Sequence, residues 1–152
     1  METKNIAKNR KHFICSICNY NTSNKFDYAL DEIELLGFPL CSPFELVDKL
    51  PATLTSKKLK NYIGKTVSII GYLVNIKHTS TVKGERMHFG TFTDIEGEWI
   101  DTIHFPASVK QYPFTGPGCY LLTGMVTEEF EFMSIEVNEM RRLATATIET
   151  DD

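Results

Sequence analysis

The sequence contains no apolar run approaching the roughly 18 residues of a membrane span. It has a single tryptophan, and its 16 Lys and Arg are outnumbered by 20 Asp and Glu, for a formal net charge of −4. Cys15 and Cys18 have no second Cys-x-x-C to complement them. Each shortage excludes something. Without a long apolar run there is no spanning helix, and the polar, basic segment after Met1 lacks the apolar centre of a secretory signal, so a cytoplasmic setting is expected. Without a basic excess, the broad positive face of a protein that coats DNA is absent. Four cysteines, Cys15, Cys18, Cys41 and Cys119, of which only the first two are close together, do not form a disulfide framework. No acid–base pair or activated nucleophile is apparent, and Cys119 with one of the histidines is not a protease signature, so no enzymatic activity is expected.

What is present suits one domain with a real core, since 42% of the 152 residues are hydrophobic. Residues 1–24 are polar and rich in Lys and Asn, and read as an arm. Within them "HFICSIC" places His12, Cys15 and Cys18 at metal-like spacing, with Cys41 as a conceivable fourth ligand. A structural zinc site needs four ligands, and two small apolar residues in an arm give the same pattern, so no cofactor or metal is assigned. Residues 25–61 form a helical lead-in. Phe26, Ala29, Leu30, Ile33 and Leu36 follow a helical stripe that Gly37 ends. Ser42-Pro43-Phe44-Glu45 has a capping-box pattern that predicts a second helix to about Leu50, and Lys57–Tyr62 suits one helical turn.

Residues 62–143 are strand-like. "KTVSIIGYLVNIKH" is rich in β-branched residues, with Gly71 marking a bulge or bend. "ERMHFGTFTD", "WIDTIHF", "CYLLTGMVTEEF" and "FMSIEVNEM" complete five strands, with "ASVKQY" as a helical turn between the third and fourth. Residues 144–152 read as a flexible acidic tail. A mainly β chain of this kind, with a short N-terminal helical segment, predicts a five-stranded OB-fold Greek-key barrel. A small barrel of the SH3 kind is the alternative, and the long first strand, able to serve both sheets, favours the OB-fold.

An OB-fold binds oligonucleotides on its second and third strands and on the loops joining strands one to two and four to five. The first of those loops gathers Lys77, His78, Thr79, Ser80, Thr81, Lys83 and Arg86, with His88 on the next strand. Cations neutralise phosphates and hydroxyls donate to them, although a solvated hairpin has the same composition. Of the aromatics Tyr72, Phe89, Phe92, Trp99 and Phe105, most are expected inside, with Trp99 the candidate for stacking on a base. A possible bulge at Gly90 leaves the faces of the second strand open. The other loop, "TEEFEF", carries Glu128, Glu129 and Glu131, which repel phosphate, and Phe130 at its turn. Asp94 and its neighbours read as an ordinary turn.

"DEIELLGFPLCSPFELV" resembles the segment preceding the C-terminal OB domain of the bacterial DNA polymerase III alpha subunit. "YIGKTVSIIGYLVNIKHTSTVKGERMHFGTFTDIEGEWIDTIHFP" is similar to the start of that domain, above all in Gly64-Lys65, Gly71-Tyr72, "TVKGERM", Asp94, Gly97 and Phe105-Pro106. "LLTGMVTEEFEFMSIEVNEM" is similar to its last two strands. The resemblance spans about Asp31 to Leu143. It implies a short stand-alone paralogue or a tail fragment that contacts single-stranded DNA in replication or repair. Nothing matches the palm domain that holds the polymerase metals. The expected partners are therefore single-stranded DNA, bound weakly and in a salt-sensitive way, and other replication proteins. A protein–protein interaction module of a replication complex is the alternative, suggested by the acidic fourth-to-fifth loop.

Overall fold

The computed structural model describes residues 22–37 and 39–144, the side chains of 22–27 and 30 excepted. The chain divides into two compact units, Met1–Leu46 and Val47–Asp152. His12, Cys15 and Cys18 lie outside the described residues, as do Phe26 and Leu30 as side chains and the acidic tail from 145 on.

In the first unit, helix α1 runs Thr22–Leu36. Ala29 is buried and packs with Ile33, Cys41 and Leu46, whereas Leu36 is exposed. Gly37 ends the helix in the left-handed region, φ 82°, and its N–H donates to the Ile33 carbonyl at 3.0 Å, the conformation that favours glycine there. The helix expected to reach Leu50 is a single 3-10 turn, Pro43–Leu46. The reason is a long-range partner. The Asp48 N–H donates to the Ala144 carbonyl, 3.2 Å away, so the chain leaves the turn once that bond is made.

The second unit begins with a 3-10 helix, Ser56–Tyr62. Five strands follow: β1 Thr66–Ser80, β2 Arg86–Thr93, β3 Trp99–His104, β4 Cys119–Glu129 and β5 Phe132–Arg142. Helix α2, Pro106–Gln111, joins β3 to β4. The strands close a barrel in the order β1-β2-β3-β5-β4. As expected, β1 serves both sheets. Its first half, Thr66–Tyr72, pairs with β4 and its second half, to Ser80, pairs with β2.

The bend in β1 has two parts. Gly71 approaches Phe92 so closely that a Cβ would lie 2.8 Å from the Phe92 Cβ. A register shift then falls between Leu73 and Asn75. Gly90, by contrast, carries no bulge. Its pairing with Ile76 and Thr102 is regular, and its missing side chain leaves room for Thr102 and Phe92. The core is built from Val67, Ile69, Leu73, Phe92, Ile100, Tyr120, Leu122, Val126, Ile135, Val137 and Met140.

Asp94 organises the turn between β2 and β3 and ties it to the lead-in. Although it is 2% exposed, its carboxylate accepts from the N–H groups of Ser56 at 2.8 Å, Glu96 at 2.9 Å and Glu98 at 2.9 Å. Burial pushes the carboxyl up, but the donations from Ser56, Glu98 and Glu96 outweigh it and hold Asp94 below the usual range. Asp94→Ala is therefore expected to lower stability by about 2 kcal/mol at neutral pH, measured by urea unfolding. The folded pKa is the lower one, so the contribution is intact above the unfolded value of about 4 and fades as pH falls through the folded value. An unchanged urea midpoint at pH 7 would contradict this role.

Candidate nucleic-acid interface

Strand alternation sorts β2 and β3 into two faces. Gly90 and Phe92 on β2, and Ile100, Thr102 and His104 on β3, are buried. The intervening residues look outward. Phe89 opposes Ile103, Thr91 opposes Asp101 and Thr93 opposes Trp99. On β1, Lys77 opposes Phe89 and Thr79 opposes Met87. The outer face of three adjacent strands thus carries Lys77, Thr79, Met87, Phe89, Thr91, Trp99, Asp101 and Ile103. Trp99 is 63% exposed and Phe89 41% exposed. Four residues of β3 separate the Trp99 end from the Phe89 end, a spacing of roughly 13 Å.

Phe132 belongs to the same surface. β5 runs parallel to β3 with Asp101 opposite Ser134, which places Phe132, two residues earlier, beside the Trp99 end. Phe132 is 76% exposed. Three large aromatics are therefore displayed on the outer face of the barrel. Tyr72 and Phe92 are core, as expected. Phe89, on a strand whose faces the sequence left open, faces out. Phe132 was not singled out among the sequence candidates. Both follow from alternation once the inward residues are known: Phe92 inside puts Phe89 outside, and Ile135 inside puts Phe132 outside.

The candidate residues of the first loop separate in the same way. Lys77, His78, Thr79 and Ser80 are the last residues of β1, and the connecting turn is only 81–85. The Thr81 hydroxyl oxygen accepts from the Glu85 N–H at 3.2 Å, and the Gly84 N–H donates to the Thr81 carbonyl at 2.8 Å, so Thr81 shapes the turn. Lys83 and Arg86 are exposed near the tip. His78 and His88 lie on the same side of their strands as the inward residues Gly90, Phe92 and His104. Their Nδ1 atoms are 2.8 Å apart, so one ring donates and the other accepts. Burial, the neighbouring His78 and Arg86 lower the His88 pKa. His88 also meets the edge of Phe114, with centroids 6.0 Å apart. These two histidines therefore lie at the barrel end, on the side away from Phe89 and Trp99.

Negative charge borders the aromatic face. Asp101 accepts from the Thr91 hydroxyl at 3.3 Å. Glu96 and Glu98 engage Lys57 at 3.7 Å and 3.4 Å. Glu128, Glu129 and Glu131 are exposed at the β4–β5 tip. The cations Lys77, Lys83 and Arg86 stand at the other end, on the β1–β2 hairpin. Among the described residues, no group of three His, Cys, Asp or Glu is placed to hold a metal ion, and no helix is long and apolar enough to cross a membrane. Burial pushes the Cys119 thiol up to about 12, against the opposing pull of Arg142.

A closed five-stranded barrel with one bent strand shared between its sheets and a helix between its third and fourth strands is an OB-fold. Among similar solved structures, the first named here agrees at the level of fold. The single-stranded DNA binding protein from Thermus aquaticus matches with TM-score 0.50 and 12% identity over 57% of this chain and 43% of that one. A mitochondrial single-stranded DNA binding protein from S. cerevisiae matches with TM-score 0.44 and 13% identity over 54% of this chain and 98% of that one. The second OB-fold domain of replication protein A from Methanococcus maripaludis matches with TM-score 0.40 and 13% identity over 57% of this chain and 91% of that one. No protein-family model matches the chain, and no curated protein matches it.

Proposed function

We propose that the chain is a nucleic-acid-binding module whose OB-fold contacts single-stranded DNA on the outer face of β1, β2 and β3. The observation that carries this reading is the exposure of Phe89 and Trp99 on the two strands that OB-folds use for oligonucleotides, with Lys77 across from Phe89. Exposed aromatics on a sheet are expensive in water, and bases stack on them at about 1–3 kcal/mol each. Lys77, Lys83 and Arg86 supply phosphate contacts at one end, and the carboxylates at the other end keep the affinity low. The similar protein from Thermus aquaticus is a single-stranded DNA binding protein, and that activity is transferred here as a proposal. The finer reading, a relative of the alpha-subunit tail acting in replication or repair in the cytoplasm, rests on the residues that resemble that family.

The test is binding of a labelled oligo-dT followed by anisotropy and by the fluorescence of Trp99, the only tryptophan in the chain. Binding is expected at low salt, with quenching of Trp99 and a log–log salt slope of about −2 for three cation contacts. Trp99→Ala should weaken it by about 1–3 kcal/mol, roughly 5- to 150-fold. Lys77→Ala should flatten the salt slope. No binding at low salt, or affinity indifferent to both changes, rules the reading out.

A further inference from the structure

The β4–β5 hairpin is unlike the other end of the barrel. Its two central residues, Phe130 with φ 50° and Glu131 with φ 68°, both adopt the left-handed region without being glycine. Glu129 and Phe132 pair across them, so the link is a two-residue turn of the type for which Asn-Gly is the favoured sequence. A bulky aromatic and a carboxylate held there are strained. The strain serves no packing, because Phe130 is 91% exposed and Phe132 76% exposed. Glu128, Glu129 and Glu131 surround them. A tip that combines apolar rings with three carboxylates repels a phosphate backbone but suits a surface that is basic and apolar together.

The same chain presents such a surface. The β1–β2 hairpin displays Lys77, Lys83 and Arg86, and Val82 at its turn is fully exposed. We propose that the β4–β5 tip of one copy docks on the β1–β2 tip of a second copy, with Phe130 against Val82 and the three carboxylates facing the three cations. The two patches are different surfaces of one chain, so the contact is heterologous and can propagate from copy to copy. It occupies the cations that the proposed DNA contact also uses, but it requires no nucleic acid and stands whether or not DNA binds.

Sedimentation velocity on the full chain, without nucleic acid, tests it. The average mass is expected to rise with protein concentration at low salt and to fall to that of the monomer at about 0.5 M salt. Phe130→Asn/Glu131→Gly should abolish association while raising Tm, because the turn is relieved of strain. A merely structural role would lower Tm instead. Lys83→Glu/Arg86→Glu should also be monomeric. A mixture of the two variants restores one intact contact, and should form dimers that do not extend. A wild-type chain that stays monomeric at low salt overturns the proposal. So does association that survives Phe130→Asn/Glu131→Gly, including association through another face.

Discussion

Gly124→Ala is expected to lower the stability of the barrel by about 4 kcal/mol, which for a chain of this size is a fall in Tm of roughly 12 °C. The cause lies in the crossing of β4 and β5. Their register shifts between Thr123 and Gly124, and Gly124 is pressed against the backbone of β5. A Cβ there would run into the carbonyl oxygen of Glu136, would come within 2.7 Å of its carbonyl carbon, and would lie 2.9 Å from the Ile135 Cγ2. A flexible side chain could turn away from such a contact. A strand backbone inside a closed barrel cannot, because moving it disturbs the pairing of β5 with both neighbours. Met125→Ala, one residue on and exposed, should change Tm little in the same thermal scan. A Gly124→Ala protein with wild-type Tm would show that β5 can shift at no cost.

The second large effect is a loss of stability on mild acidification, and it comes from His104. This residue is completely buried. The Thr102 hydroxyl donates to the Gly90 carbonyl at 3.0 Å, so it must accept from His104 Nε2–H, 2.9 Å away. That fixes the neutral tautomer with the proton on Nε2. Nδ1 is buried with no hydrogen-bond partner, and the ring meets Phe114 edge-on at 4.8 Å between centroids. Protonation would place a charged N–H where nothing receives it. Burial, with a smaller contribution from His88, therefore lowers the pKa to about 4. The unfolded chain takes up this proton near pH 6.5 and the folded chain does not, so between these values the unfolded state binds more protons. Stability then falls as pH drops from about 6.5 to about 4, by on the order of 3 kcal/mol. Urea midpoints across that range give the slope. His104→Gln keeps a donor for Thr102 but cannot titrate, and should remove most of the slope. If the slope persists in the variant, the titrating group is another one.

Much of the barrel is legible in the amino-acid order because its signals are local. Five β-branched runs separated by turn residues give five strands, and Gly37 and Pro106 mark helix boundaries through backbone geometry that needs no knowledge of the rest. What resists reading is whatever a distant partner decides. The Ser42 capping pattern promises a helix to Leu50, but the Asp48 N–H donates to the distant carbonyl of Ala144 instead of to a helical partner. Gly90 resembles a bulge because glycine in a strand has two uses, and only Thr102 and Phe92 reveal that this one makes room. The candidate interface divides in the same way. Its cations are visible as a cluster in sequence, yet the histidines among them turn to the barrel end because the faces of β2 are set by Phe92. Phe132 joins Trp99 only through the parallel pairing of β3 with β5, a contact between residues far apart in the chain.

That parallel pairing has a further consequence for a surface that displays so much apolar area. A sheet with bare aromatics and an unpaired border would offer both sticky side chains and open backbone groups, the combination on which aggregates grow. Here β5 takes the far side of β3, and the strand order returns to β1 through β4. Phe89 therefore stands on a strand paired on both sides, and Trp99 and Phe132 on a closed ring of strands, which leaves less open backbone for strand addition beside the apolar side chains.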